Sequence, residues 1–276
     1  MRFTIFGGRG FVGGALCEYL RRQGHYVCVP ARDASGLAGR ELGHVIYAIG
    51  LTADFRTRPF ETVDAHVCQL GRSLRCAHFE SWLYLSSTRV YAGLAGESVR
   101  EDAALTVVPD SDGIYNLSKL TGEAICLSQP SPKVRVARLA NVYGPGQGKE
   151  TFLGMLLNDV AHGHDTLIRE APTSSKDYVA LEDVCRLLEP IALRGSHRIY
   201  NVASGRSLCH ADLAKALSTA SSRTVAFGDN ARHRSFPRID IGRVVDEFGF
   251  RPRLLLDQLG DMIASLQTGR SQENNS

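Results

Sequence analysis

Two kinds of hydrophobic pattern alternate along the first half of the chain. Unbroken apolar runs occur in "RFTIFG" (2–7), "YVCVP" (26–30), "HVIYAIG" (44–50), "SWLYLSS" (81–87) and "KVRVARLA" (133–140). Between them, apolar residues recur every three or four positions in "FVGGALCEYLRRQG" (11–24), "FETVDAHVCQLGRSLRCAH" (60–78) and "YNLSKLTGEAICLS" (115–128). The first pattern predicts strands buried on both faces, the second amphipathic helices. Such strands separated by helices imply an α/β fold, a Rossmann-like doubly wound parallel sheet.

Beyond about residue 145 the helical patterns shorten, Gly, Pro and charged residues become denser, and "RIYNVAS" (198–204) reads as an isolated strand. The expected organisation is a core over 1–144, rejoined by 175–204, and a smaller C-terminal α/β lobe from 145–174 and 205–268. The polar tail, 269–276, is expected to be disordered.

The chain has 276 residues, 43% hydrophobic and 22% charged, which is enough for a full core. Its net charge of +3, 32 basic against 29 acidic residues, singles out neither nucleic acid nor an anionic membrane as a partner. No apolar run reaches the roughly 18 residues of a spanning helix. The start "MRFTIFGGRGFVGG" breaks at glycine and lacks a small-residue cleavage site, so it reads as a first strand and not as a signal peptide. The seven cysteines (17, 28, 68, 76, 126, 185, 209) form no Cys-x-x-Cys pair and read as reduced thiols of a cytoplasmic protein. No Cys or His cluster has metal-ligand spacing, so no metal is expected.

The first strand runs into "GGRGFVG", which spaces Gly7, Gly10 and Gly13 at the start of a helix. Glycines there permit a tight turn and close approach of a pyrophosphate to a helix N-terminus. Gly7, Gly10, Phe11, Val12 and Gly13, with Ala48 at the end of another strand, are therefore expected to bind a dinucleotide. At the end of the second strand, "YVCVPARD", a carboxylate would accept from the adenosine ribose, but Ala31 and Arg32 stand there. Arg32 suits a 2′-phosphate, so NADP is expected in preference to NAD. The alternative is a solvated Arg32 with Asp33 in the acidic role.

In "GIYNLSKL" (113–120), Tyr115 and Lys119 lie one helical turn apart, either as an ordinary surface pair or as a phenol tuned by an ammonium. With "LSSTRVYAG" (85–93), "RLANVYGPGQ" (138–147), "SKDYVALEDV" (175–184), "YNVASG" (200–205) and "IDIGRVVDEFGFRP" (239–252) in this order, the chain resembles the extended short-chain dehydrogenase/reductases. Within them it is most similar to the nucleotide-sugar epimerases, dehydratases and ketoreductases. Lys176 replaces the arginine usual in the fourth of these motifs.

The resemblance implies that Tyr115 is the acid/base, Lys119 its cationic neighbour and a ligand of the nicotinamide ribose, and Ser87 the hydroxyl that shares the proton, with Thr88 as substitute. A free tyrosine, with a pKa of about 10, is a poor base at neutral pH, and positive charge from Lys119 favours the phenolate. Dehydratases of this kind carry an Asp-Glu pair where Thr88 and Arg89 stand, so elimination is disfavoured. With Arg32, this favours reduction of a 4-keto nucleotide sugar. Epimerisation with tightly bound NAD is the alternative, and a non-catalytic NADP-binding regulator a further one. Asn141 and either Arg232 or Arg234 are expected at the diphosphate, within the substrate lobe, and Arg89 on the sugar side. Arg56 and Arg58 either meet an anion there or face water. His66 occupies the position of a common asparagine and reads as structural. The stretch between "YVCVP" and "HVIYAIG" is short for the helix and strand usual there. Homodimerisation through the helix bearing Tyr115 and the helix before the "SWLYLSS" strand is also implied.

Overall fold

The computed structural model describes residues 1–31, 39–51, 54–94, 96–234 and 236–273. Arg32 therefore lies outside the described residues. The first half comprises β1 (Arg2–Phe6), α1 (Phe11–Arg22), β2 (Tyr26–Cys28), β3 (His44–Tyr47), α2 (Pro59–Val63), α3 (Gln69–Cys76), β4 (Ser81–Ser87), β5 (Ser98–Val99), α4 (Ile114–Leu127) and β6 (Val134–Leu139). The second half comprises β7 (Asn141–Tyr143), α5 (Phe152–Ala161), β8 (Thr166–Glu170), β9 (Ser175–Ala180), α6 (Leu181–Arg194), β10 (Ile199–Val202), β11 (Ser207–Cys209), α7 (His210–Ser221), β12 (Val225–Arg232), β13 (Arg238–Ile239), α8 (Gly242–Phe248) and α9 (Leu259–Glu273).

Six strands form one parallel sheet in the order β10-β6-β4-β3-β1-β2. Its apolar residues divide by alternation. Phe3, Ile5, Ile46, Leu83 and Leu85 pack with α1 and α6, whereas Phe6, Val45, Tyr47, Trp82 and Tyr84 pack with α3 and α4. The sheet is thus covered on both faces, as the apolar runs require. From β1 the chain goes to β2 on one side and returns to β3 on the other. This places a topological switch point beyond the carboxyl ends of β1 and β3, where such sheets bind ligands.

Two buried arginines interrupt the apolar run of β6. Arg135 donates to the Ala192 carbonyl (3.1 Å). Arg138 pairs with Glu123 of α4 at 2.7 Å and donates to the Tyr91 phenol at 2.7 Å, which in turn donates to Asn201 at 2.7 Å. Arg138 is tolerated inside because it has its counter-charge and hydrogen bonds. The network fixes α4 against the sheet two turns beyond Tyr115.

A second apolar cluster, with Leu156, Leu157, Val160, Ile168, Leu213, Leu217, Leu259 and Ile263, holds α5, α7 and α9 against the later strands. Several features here differ from the sequence expectation. β10 is an edge of the main sheet and not isolated, whereas β9, expected to rejoin that sheet, pairs with β7 and β11 in a separate three-stranded sheet. β8 and β12 pair in another, and their polar, half-exposed sequences "TLIRE" and "VAFGDNAR" gave no apolar run to read. Helix α9 extends to Glu273, well into the segment expected to be disordered; anchored by Leu259 and Ile263, it propagates through polar residues at little cost. Residues 274–276 lie outside the described residues.

The helix expected over 60–78 is also interrupted: a π turn, Asp64–Cys68, separates α2 from α3. Carbonyls of this turn face the sheet. Tyr47 Oη of β3 donates to the Ala65 carbonyl (2.7 Å), and Tyr84 Oη of β4 to that of His66 (3.4 Å). Gly122 of α4 lies against the same spot, where a Cβ would come within 2.5 Å of Tyr84 Oη. Among the described residues, no helix is long and apolar enough to cross a membrane.

Candidate active site

A continuous cleft of about 820 Å³ runs from the glycine turn after β1, past Tyr115, to Arg232, Arg234 and Phe236. At its first end Gly7 has φ +78°, and a Cβ there would meet the Ala48 backbone at 2.8 Å. Gly13 lies over the same turn, its position for a Cβ only 2.2 Å from the Gly7 carbonyl oxygen. Gly10 closes the turn by donating to that oxygen (2.9 Å). Gly10, Phe11, Val12, Gly13 and Ala48 line the cleft, with the α1 N-terminus opening onto it. A cradle whose closest walls are backbone fits a dinucleotide pyrophosphate.

Tyr115 lies in the first turn of α4 and is buried. Both it and Ser87, at the end of β4, line the cleft, and the Ser87 side chain acts on the phenol so as to favour the phenolate. Ser87 rather than Thr88 is thus the partner; Thr88 is buried in the cleft wall at the start of a 3-10 turn. Burial raises the Tyr115 pKa, against opposing effects of the Ser87 side chain and the Arg89 charge. Lys119 stands 6.0 Å from the ring centroid and donates to the Leu85 carbonyl (2.9 Å). Arg89, its guanidinium carbon 5.8 Å from the same centroid, is a second cation beside the phenol that the motif did not mark.

His66 sits on the π turn, fully buried and edge-on to Tyr115 at 5.3 Å between centroids. Nε2 accepts from the Leu51 amide (3.3 Å), so Nδ1 carries the proton and donates to Ser118 Oγ (2.8 Å). Burial and the Lys119 charge hold its pKa down at about 2, so it stays neutral. It braces the site as the bland reading of a lone histidine requires.

The remaining candidates occupy the far half of the cleft. Asn141 lines it and donates through its amide to the Asp177 carbonyl (2.8 Å). Arg232 and Arg234 both line it, Arg234 lying 3.9 Å from Glu170. Arg56 lines the cleft too, ion-paired with Asp112, whereas Arg58 is exposed and paired with Asp54 (3.1 Å) and Glu61 (3.4 Å).

The NAD dependent epimerase/dehydratase family model matches residues 45–203, more than half of the chain. The chain belongs to that family. It is 28% identical over 200 residues to a dTDP-glucose 4,6-dehydratase of Streptomyces griseus, covering 69% of this chain and 60% of that one. It is 27% identical over 207 residues to the dTDP-4-dehydro-6-deoxyglucose reductase of Escherichia coli, covering 71% and 64%. The matches thus span under two thirds of either relative. MoeE5, solved in complex with UDP-glucose and NAD, superposes with a TM-score of 0.82 at 21% identity over 99% of this chain and 100% of its own, which shows a common fold.

This epimerase/dehydratase-family chain also brings together residues that no sequence motif marked. Phe55 is buried with its ring 5.3 Å from that of Tyr115. Near the other end, Lys176 pairs with Glu170 (3.0 Å) and lies 3.7 Å over the Phe152 ring, which stacks on buried His210 (4.7 Å). Only the departure at Lys176 gave a sequence signal for that cluster; the rest is assembled from distant segments.

Burial lowers the Lys119 pKa to about 7, opposed by Glu123. A lysine that binds its proton less tightly folded than unfolded costs stability below about pH 7, a cost that disappears as pH rises towards the ordinary lysine value. Lys119→Met is therefore expected to raise the unfolding temperature of the cofactor-free chain, more at about pH 6 than at about pH 9. Calorimetric melts at both values check this; a gain that grew with pH would contradict it.

Proposed function

We propose that the chain is an NAD(P)-dependent oxidoreductase of nucleotide-activated sugars that reduces a 4-keto sugar, with Tyr115 as proton donor. The observation that carries the reading is that Tyr115 and Ser87 line one cleft between a dinucleotide cradle and a group of cations. When bound, the nicotinamide supplies the hydride. Tyr115, kept as the neutral phenol by burial, is in the state needed to protonate the oxygen of a ketone as it is reduced. Ser87 donates to the phenolate left behind and orients it, and Arg89 offsets its charge. Lys119, held by the Leu85 carbonyl, borders the same part of the cleft and is suited to the cofactor ribose.

Elimination is disfavoured because the side chains following Ser87 are Thr88 and Arg89, and Asp112, the carboxylate acting on Arg89, is already paired with Arg56. A reductase is among the relatives, which supports reduction. The preference for NADP rests on Arg32 alone. Asn141 with Arg232 or Arg234 would hold the diphosphate, and a homodimer would pair α4 with the helix over 59–76, which exposes Phe60.

The test is to mix purified chain with NADPH or NADH and a nucleotide 4-keto sugar, either 6-deoxy or bearing a 6-carboxylate, and follow loss of the reduced-nicotinamide absorbance. Consumption faster with NADPH, with the preference lost in Arg32→Ala, is expected. No consumption, together with NAD retained through purification and C4 inversion of a nucleotide hexose by NMR, would replace reduction by epimerisation.

A further inference from the structure

We propose that the substrate's sugar carries a carboxylate and that Arg89 receives it beside Tyr115; this rests on the sugar-nucleotide reading above. β4 ends at Ser87, and the chain turns at once into a 3-10 helix, which brings Arg89 back over the site. Its guanidinium carbon lies 5.8 Å from the Tyr115 centroid and 5.0 Å from that of Phe55. The Arg56 guanidinium carbon lies 4.5 Å from the same Phe55 ring. Two aromatic faces thus hold a pair of guanidinium groups next to the proposed proton donor.

Arg89 differs from Arg56 in that its side chain makes no hydrogen bond or ion pair among the described residues. Its Nε is buried and makes no hydrogen bond among the described residues. Buried donors are normally satisfied, so this one points to a group that arrives with a ligand. Asp112, the carboxylate that acts on Arg89, is already paired with Arg56, and Glu170 is paired with Lys176 at 3.0 Å and Arg234 at 3.9 Å. Burial and the charge of Arg56 both weaken the hold of Arg89 on its proton, and Arg234 adds to this. A half-buried guanidinium beside like charges is stabilised by an anion, and its planar fork matches a carboxylate. Because it rests on the Tyr115 ring, that anion belongs to the reacting sugar. The cations lining the far end of the cleft, Arg232 and Arg234, remain for the diphosphate.

The experiment is calorimetric titration of the cofactor-loaded chain. Uridine, thymidine, guanosine, cytidine and adenosine diphosphates are titrated first, and the best binder is then used as its glucosyl and glucuronosyl derivatives. A charge-assisted forked contact predicts glucuronosyl binding tighter by about tenfold or more. In Arg89→Met this preference should vanish with the affinity for the glucosyl form and the bare diphosphate kept, and Arg89→Lys should restore it only in part. Unchanged melting and cofactor binding show that the variants are folded. Equal or weaker binding of the glucuronosyl form to the unaltered chain overturns the anionic sugar and leaves the sugar-nucleotide reading intact. Equal loss of all three ligands in Arg89→Met overturns it too, making Arg89 a diphosphate ligand. Failure of every diphosphate and sugar nucleotide to bind removes the sugar-nucleotide reading and this inference with it.

Discussion

Replacing Tyr115 by Phe is expected to slow hydride transfer by about 10²–10⁴-fold, the usual contribution of a positioned acid/base, with little change in cofactor affinity. The change removes one oxygen and keeps the ring. Packing against Phe55 and His66, both 5.3 Å away between centroids, is therefore retained, and α4 stays in place through the Glu123–Arg138 pair. What disappears is the proton and the oxygen on which Ser87 acts. Single-turnover measurement of reduced-nicotinamide loss, alongside cofactor titration, separates the two effects. If turnover were unchanged, Tyr115 would have no part in the chemistry. If no substrate were turned over by either form while the cofactor still altered binding of a macromolecular partner, a non-catalytic regulator would be the better description.

The glycine cradle predicts an effect of similar size by a different route. In Gly13→Ala the new Cβ would need to occupy a point 2.2 Å from the Gly7 carbonyl oxygen and 2.8 Å from its carbon. Both neighbours are backbone, and Gly7 has little room to retreat, since a Cβ built on it would meet the Ala48 and Ile49 backbone at 2.8–2.9 Å. The turn must open, at a cost typical of an overpacked core, about 1–3 kcal/mol. Dinucleotide affinity should fall by about 100-fold or more, because the backbone donors no longer converge on the pyrophosphate. Gly14 supplies the control: a Cβ there meets nothing closer than the Gly8 carbonyl at 3.7 Å. Gly14→Ala should bind cofactor normally and gain about 0.5–1 kcal/mol from helix propensity. Titration and thermal melts of the two variants decide the matter. Equal behaviour of both would mean that close approach at Gly13 does not matter.

The main sheet was legible because its strands are buried on both faces, and nothing but an apolar run suits that position. The glycine cradle was legible for a related reason, since backbone contact excludes side chains. In the second half β10 showed as an apolar run, but β8 and β12 did not, because they are half-exposed and polar. Within the site, Tyr115 and Ser87 could be named from motif and order. Their electrostatics could not. Lys119 is one turn from Tyr115 in sequence, yet its ammonium is directed to Leu85, while Arg89 and Phe55 reach the phenol from other segments. Periodicity describes one element at a time and carries no information about which loops meet above it.

The π turn at Asp64–Cys68 gives the site a built-in gauge of height. Tyr47 and Tyr84 stand up from neighbouring strands and touch carbonyls of that turn with their phenol tips. The separation of helix from sheet is therefore set by the length of two rigid rings, where soft aliphatic packing would allow sliding. His66 is carried on that turn, and Tyr115 rests against His66. The working ring is in this way levelled by two tyrosines that never meet the substrate, and its position inherits the stiffness of the sheet beneath.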